Sequence, residues 1–138
     1  MKQVRAEKID SVEDYRLIDV PEPVPGPAEV LIKVNACAMG YVDALVALGG
    51  YQVKPPVPFT PGQEFAGVVA AIGSGVTGLA FGDRVLANGF GGGLAEQVAL
   101  PAAMVTRIPD ALGFAEAAGF KINYLTALHG LMDRAFLQ

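Results

Sequence analysis

The chain has 138 residues, which is enough for one domain with a hydrophobic core. Its net charge of −4 argues against nucleic acid and anionic membranes as partners, and its single cysteine excludes an internal disulfide framework. Hydrophobic residues make up 52% of the chain and charged residues only 17%, which indicates few solvated faces or a surface normally buried against something else.

The amino-terminal segment MKQVRAEKID is charged and has no apolar core of signal-peptide length. Glycine, proline or charge interrupts every apolar run before it reaches the length of a membrane span. A single cysteine also fits a reducing compartment. We therefore expect a cytoplasmic protein without a membrane segment.

Short strands are predicted at Lys2–Ala6 and Tyr15–Val20, followed by a turn-rich connector, PEPVPGP, at 21–27. A clear strand follows over Glu29–Ala36, where apolar residues alternate with polar ones. Cys37 continues this strand. We interpret it as a small buried hydrophobic residue, because no histidine or second cysteine stands at metal-ligand spacing.

A helix is predicted over Tyr41–Leu48, and the glycine pair that follows it favours a left-handed helix end. Tyr51 then begins an extended segment stiffened by four prolines. The nearly unbroken apolar run Glu64–Ile72 predicts a buried strand. Tyr51 is thus held on a stiff loop, and its spacing alone allows either a functional role or that of a lid over the core.

The segment Gly73–Gly78 matches G-x-G-x-x-G and follows a strand. A phosphate-binding glycine loop must open a helix, but only three residues separate Gly78 from the next turn at Gly82–Asp83. We therefore predict a hairpin-like turn. Asp83 and Arg84 are interpreted as a local turn with a surface ion pair.

Further strands are predicted at Leu94–Leu100 and Val105–Ile108, then a helical turn at Phe114–Gly119 and a longer helix over Asn123–Phe136 with one apolar stripe. His129, the only histidine, lies on that helix without an indicated partner, and we interpret it as structural or exposed. Neither serine stands in a nucleophile-elbow pattern, which argues against a Ser-His hydrolase.

The chain resembles the catalytic domain of the medium-chain dehydrogenase/reductase superfamily, and within it the zinc-independent quinone oxidoreductase branch. The resemblance covers essentially the whole chain in order. It is carried by the pattern D-x(5)-G-x-Y-x(3)-P-x-x-P-F-x-P-G-x-E-x-A-G-x-V, met by Asp43, Gly49, Tyr51, Pro55, Pro58, Phe59, Pro61, Gly62, Glu64, Ala66, Gly67 and Val69, with support from GDRV at 82–85, GGLAE at 92–96, EAA at 116–118 and NYLTA at 123–127.

The resemblance implies a mainly β fold with short helices (α+β). The expected architecture is a GroES-like, partly open β-barrel over residues 1–120, with a linking helix over 121–138. In this superfamily a nucleotide-binding domain with its own glycine fingerprint would follow Gln138. We therefore expect the chain by itself to lack NADPH-dependent turnover, and to form a homo-oligomer or associate with the missing domain.

The same resemblance implies the site. Tyr51 aligns with a tyrosine in the active-site cleft, where a phenol can hydrogen-bond developing enolate charge, since phenols stay protonated at neutral pH. Thr126 aligns with a threonine at the nicotinamide end of the cofactor. Gly40 replaces an asparagine common near the nicotinamide, and Tyr41 could partly fill the gap. Gly40, Tyr41 and Thr126 are thus the expected cofactor-binding residues.

The positions of the catalytic zinc ligands in zinc-using relatives align here with Gly40, Gln63 and Ile122. None is a ligand that zinc prefers, so we expect no metal. The resemblance implies hydride transfer from NADPH to a quinone or an activated alkene such as an enone. Reduction of an enoyl thioester and a non-catalytic GroES-like binding module are the alternatives.

Overall fold

The structure, a computed structural model, describes residues 1–137 and is built mainly from β-strands joined by short helices. The strands are β1 (Lys2–Ala6), β2 (Tyr15–Asp19), β3 (Glu29–Ala38), β4 (Glu64–Ile72), β5 (Arg84–Asn88), β6 (Gln97–Pro101) and β7 (Val105–Arg107). The helices are α1 (Tyr41–Ala47), α2 (Phe114–Ala118) and α3 (Lys121–Leu128), with single 3-10 turns at Val12–Asp14 and Ala102–Met104.

Two antiparallel sheets form the body of the molecule. The larger has the strand order β6-β3-β4-β5-β7, and β1 pairs with β2 in the smaller one. The Val4 amide donates to the Leu94 carbonyl and the Ala6 amide to the Phe59 carbonyl, both at 2.8 Å, which joins β1 to the segments that precede β6 and β4. The sheets do not close into a full barrel, so the predicted mainly β, partly open architecture is confirmed.

The main core cluster lies on one face of the central strands, and a second cluster on the other face packs against α2 and consists of Ala66, Leu86, Ile108, Ala117 and Ala118. The largest fully buried side chains of the main cluster are Val30, Ile32, Phe65, Val69 and Val85. They come from β3, β4 and β5, because alternate residues of a strand point to the same face. Burying such side chains contributes about 1.5–3 kcal/mol each.

Cys37 packs against this core at half-burial, which confirms its interpretation as a small hydrophobic residue. Burial, with a smaller contribution from the charge of Asp43, raises the pKa of the Cys37 thiol to about 11. The thiol is therefore protonated at neutral pH.

One glycine in β4 is required by close strand packing. The pairing of β3 with β4 slips between Val34 and Ala36, opposite Gly67. A Cβ at Gly67 would lie 2.0 Å from the Lys33 carbonyl oxygen. Glycine is therefore the residue that lets β4 approach the bulged part of β3.

The glycine-rich segment after β4 is a turn, as predicted, and opens no helix. The Gly73 amide donates to the Glu29 carbonyl and the Gly75 amide to the Pro27 carbonyl, both at 2.8 Å. A Cβ at Gly73 would lie 2.0 Å from the Gly26 carbonyl oxygen. Here glycine serves the close approach of two backbone segments, and the amides of Gly73 and Gly75 are used in that contact.

The turn at Asp83 forms, but its ion pairs reach further along the chain than predicted. Asp83 pairs with Arg107 of β7 at 2.7 Å. The Arg84 guanidinium donates to carbonyl oxygens within 109–112 at 2.6 to 3.0 Å and lies over the Phe114 ring, 4.6 Å from its centroid. Arg84 thereby fixes the segment that leads into α2.

Two predicted starts differ from the structure by more than one residue, and several predicted ends differ by one or two residues. β6 begins at Gln97 rather than Leu94, because residues 94–96 instead contact β1, where the Glu96 amide donates to the Lys2 carbonyl at 3.0 Å. The last helix begins at Lys121 rather than Asn123, and after Leu128 it continues as a π-helical segment, His129–Arg134.

The carboxy-terminal helix, residues 121–134, keeps its predicted apolar stripe but leaves it open. Leu125, Leu128, Leu131 and Met132 are all about half exposed. His129 is exposed and lies 2.8 Å from Asp133 through Nδ1, which confirms a surface position. No helix within residues 1–137 has the combined length and hydropathy needed to cross a membrane.

A candidate active-site cleft

A cleft of about 300 Å³ opens where four elements meet: the end of β3, the first turn of α1, the start of β4 and the first turns of α3. Backbone and side chains from each element contribute to its walls. The lining residues are Ala38, Met39, Gly40, Tyr41, Val42, Asp43, Gln63, Glu64, Ile122, Asn123 and Thr126.

Asp43, in the first turn of α1, joins this helix to the loop before β4. Its side chain is buried, and Oδ2 accepts from the Gly40 amide at 2.9 Å. Oδ1 accepts from the Gly62 amide at 3.3 Å and the Gln63 amide at 3.1 Å. A carboxylate at a helix start is favoured by the free amides and the dipole there. Asp43 thus joins the start of α1 to the loop that leads into β4.

Glu64, the first residue of β4, makes the matching connection to the other wall. It is 3% exposed, and Oε1 accepts from the backbone amides of Lys121 and Ile122, the latter at 3.1 Å. Burial raises the pKa of the Glu64 carboxyl, the two amides oppose that shift, and the charge of Asp43 adds to it. A buried carboxylate from the sheet therefore caps α3.

Gly40, Tyr41 and Thr126, expected from the resemblance to contact a cofactor, all line this one cleft. A Cβ at Gly40 would meet only Asp43 Oδ2, at 3.6 Å, so the cleft is open beside it. The Tyr41 side chain is 78% exposed, and Thr126 is exposed on α3. The structure brings the three residues together, and their roles remain predictions.

Tyr51 is not among the residues that line the cleft. It follows α1 and is half-buried, and its backbone amide donates to the Leu45 carbonyl at 3.2 Å. Gly49 has the predicted left-handed conformation, with φ of +70°. The catalytic role expected for the Tyr51 phenol also remains a prediction.

The three positions aligned with zinc ligands also converge. Gly40, Gln63 and Ile122 all line the cleft, although they lie far apart in the chain. Glycine offers no side-chain donor, isoleucine is apolar, and a carboxamide is a poor zinc ligand. Elsewhere in residues 1–137, no group of three or more His, Cys, Asp or Glu side chains is close enough to hold a metal ion.

Sequence reasoning missed the roles of Asp43 and Glu64. It placed Asp43 in a helical first turn and Glu64 at the head of a strand, without a partner for either. Their apolar surroundings were the available clue, because a buried carboxylate must find hydrogen-bond donors. The donors could not be identified, since Glu64 lies 57 and 58 residues from the amides that it accepts.

The mainly β architecture, with its partly open sheets and short helices, is that of a GroES-like domain. The family model described as the alcohol dehydrogenase GroES-like domain matches residues 26–110. The chain therefore belongs to this family, within the medium-chain dehydrogenase/reductase superfamily.

Among its curated relatives is a quinone oxidoreductase-like protein 2 homolog of Nematostella vectensis, 45% identical over 114 residues, which are 82% of this chain and 31% of that protein. The solved structure of the human synaptic vesicle membrane protein VAT-1 homolog-like protein superposes with a TM-score of 0.94 at 36% identity, covering 100% of this chain and 45% of that one.

A structure of the quinone oxidoreductase from Thermus thermophilus, described together with its NADPH complex, superposes with a TM-score of 0.85 at 33% identity, covering 100% of this chain and 42% of that one. The chain thus spans less than half the length of the relatives that it matches.

Proposed function

We propose that this chain supplies the acceptor side of an NADPH-dependent oxidoreductase that transfers hydride to a quinone or an activated alkene. The observation that carries this proposal is the convergence of Gly40, Tyr41 and Thr126 on one open cleft, in a chain whose relatives include quinone oxidoreductases. Most of the dinucleotide would be held outside this chain.

The residues of the cleft fit the nicotinamide end of such a cofactor. The missing side chain at Gly40 leaves room for a flat ring against the backbone. Thr126 offers a hydroxyl and Asn123 a carboxamide, groups that can pair with a carboxamide on the ring. When bound, NADPH supplies the hydride. The protein supplies the position of the ring and the exclusion of water from its face.

The acceptor needs a hydrogen-bond donor for the negative charge that develops on its carbonyl oxygen. Tyr51 is the proposed donor on the strength of the family resemblance alone, since a phenol hydroxyl can donate to that oxygen but Tyr51 is not among the residues that line the cleft. Tyr41 also carries a phenol and lines the cleft directly. We use Tyr41 as the matched comparison, since replacement by phenylalanine removes the same hydroxyl from either site.

The proposed reaction uses no zinc. Its support is the chemistry of Gly40, Gln63 and Ile122, which lack the donors that a three-ligand zinc site needs. The proposed partners are therefore a small quinone or enone and the part of the enzyme that holds the dinucleotide. The cytoplasmic location likewise remains a proposal, supported by the single free cysteine.

A chimaera tests the proposal. In it, this chain replaces the superposed 42% of the Thermus thermophilus quinone oxidoreductase. We expect the chimaera to oxidise NADPH in the presence of a quinone, and the 138-residue chain alone to show no turnover. A folded chimaera that binds NADPH but reduces neither a quinone nor an enone nor an enoyl thioester would overturn the proposal.

Within the chimaera, Tyr51→Phe should lower kcat by about 10²-fold with little change in KM for NADPH, as expected for a lost hydrogen bond in the transition state. Tyr41→Phe should have a smaller effect. The reverse order would assign the phenol to Tyr41 and leave the reaction class standing. Faster reduction of enoyl thioesters than of quinones would assign the alternative acceptor.

A GroES-like binding module without chemistry is the competing function, favoured by the exposed apolar stripe of the carboxy-terminal helix. We expect the isolated chain to self-associate through this stripe, which light scattering can measure. If Leu125→Lys makes the chain monomeric in the same measurement, the apolar stripe is the surface through which the chain self-associates. A wild-type chain that is monomeric at high concentration would contradict it.

A further inference from the structure

The carboxy-terminal helix has few packing contacts that could fix its position. No residue of α3 is buried, and its leucines are about half exposed. At the start of α3, the amides of its first two residues both donate to one carboxylate oxygen of Glu64. A hydrogen bond to a charged, buried acceptor is stronger than one between neutral groups.

Glu64 also stands next to the connection that holds the opposite wall. The amide of its neighbour Gln63 donates to Asp43 Oδ1 at 3.1 Å, and Oδ2 of the same carboxylate accepts from Gly40. Two consecutive residues at the start of β4 therefore link α1 on one side of the cleft with α3 on the other. The chain of contacts runs from Gly40 through Asp43 and Glu64 to Lys121.

We propose that Glu64 is a positioning residue, whose buried carboxylate sets where the first turns of α3, and with them Asn123 and Thr126, stand relative to Gly40 and Tyr41. The consequence for hydride transfer depends on the proposed function. The structural claim does not, because it concerns the geometry of the chain itself.

The groups facing the Glu64 carboxyl are the acidic Asp43 on α1 and the basic Lys121 on α3. Burial outweighs the bonds from the two amides, so the pKa of Glu64 lies above its ordinary value of 4.5. The amides of Lys121 and Ile122 should therefore report this titration directly.

The first experiment is a pH titration of the ¹⁵N-labelled 138-residue chain by NMR. The amide resonances of Lys121 and Ile122 should shift together, with one midpoint above 4.5. Glu64→Gln should remove that transition. It should also speed hydrogen exchange of the amides at 125–128 by about fivefold to tenfold, because a charge-assisted bond is replaced by a neutral one.

Glu116→Gln is the matched control. Glu116 Oε2 accepts from the Gly113 amide at 2.9 Å and so caps α2, but it is exposed and does not line the cleft. This variant should leave the titration of the Lys121 and Ile122 amides unchanged.

The proposal is wrong if the Lys121 and Ile122 amides do not titrate, if they titrate equally in Glu64→Gln, or if exchange over 125–128 is unchanged. Should Glu64→Gln fail to fold, the wild-type titration and the shorter Glu64→Asp decide the question. Glu64→Asp should displace both amide resonances and also speed exchange over 125–128.

The chimaera adds the functional measurement. In the chimaera, Glu64→Gln should lower kcat/KM about tenfold and remove one limb of the pH profile of kcat/KM. Glu116→Gln should change neither the value nor the profile. An unchanged profile would restrict Glu64 to a structural role. If the unmodified chimaera has no activity, the proposed function fails, and the NMR titration still tests the position of α3.

Discussion

The β-rich body, residues 1–120, and the carboxy-terminal helix, residues 121–134, are stabilised in different ways. The body has two buried core clusters, and in the larger one Phe65 and Ile32 are completely buried. The helix has no buried residue in its α-helical part and depends on one buried carboxylate at its start. Packing therefore fixes the body, whereas hydrogen bonding at one end fixes the helix, and the cleft lies at the boundary between the two.

The largest expected effect tests the core of the body. Phe65→Ala should lower the free energy of unfolding by about 3–5 kcal/mol, because it leaves a cavity in a close-packed core. Leu128→Ala on the helix should change it by less than about 0.5 kcal/mol, since that side chain is about half exposed. Urea unfolding measures both. Equal losses would mean that the helix is packed as tightly as the sheet.

The next effect compares a glycine with no room for a side chain and a glycine with open space around it. Gly67→Ala should destabilise the chain by about 2–3 kcal/mol, because its Cβ would overlap the Lys33 carbonyl oxygen. Gly130→Ala meets no atom within 4 Å and should instead stabilise the helix by about 0.5–1 kcal/mol. Thermal unfolding followed by circular dichroism distinguishes the two. A tolerated Gly67→Ala would show that the β3–β4 bulge can relax.

A smaller effect is expected at the boundary between body and helix. Because the pKa of Glu64 is raised in the folded chain, the folded state binds this proton more tightly than the unfolded state does. Its contribution to stability is therefore complete below pH 4.5 and is lost as the pH rises through the folded pKa. The unfolding free energy of wild type minus that of Glu64→Gln should fall over this range. A difference that rises with pH would mean that the amide bonds outweigh burial.

The smallest effect lies on the surface of the body. The Ala80 amide and the Arg107 guanidinium lower the pKa of the Asp83 carboxyl, so its contribution to stability is present above the unfolded value and lost as the pH falls through the folded one. Arg107→Gln should move the pKa of Asp83 upward, towards its ordinary value, measurable by carbon NMR of the carboxyl group. Little change in stability should accompany it, because an exposed ion pair contributes little. If the pKa of Asp83 does not move in Arg107→Gln, the Ala80 amide and not Arg107 is the group that lowers it.

Much of the body could be predicted from local patterns. Alternating residues predicted β3, an apolar run predicted β4, and the glycine pair predicted the end of α1. Each is a property of neighbouring residues, which is why one sequence was sufficient. The glycine-rich turn after β4 was also predictable, since a phosphate loop needs a following helix and the chain offers no room for one.

What the sequence by itself determined is the order and type of most elements, and the family to which the chain belongs, because periodicity and motif spacing are local. Only the tertiary structure decided that Asp43 and Glu64 join the walls of one cleft, that Arg84 fixes the segment before α2, and that Gly40 and Thr126 stand together. These contacts join residues that are distant in the chain, and their partners are mainly backbone amides and carbonyls. Every residue carries those groups, so the sequence cannot mark which of them will be used.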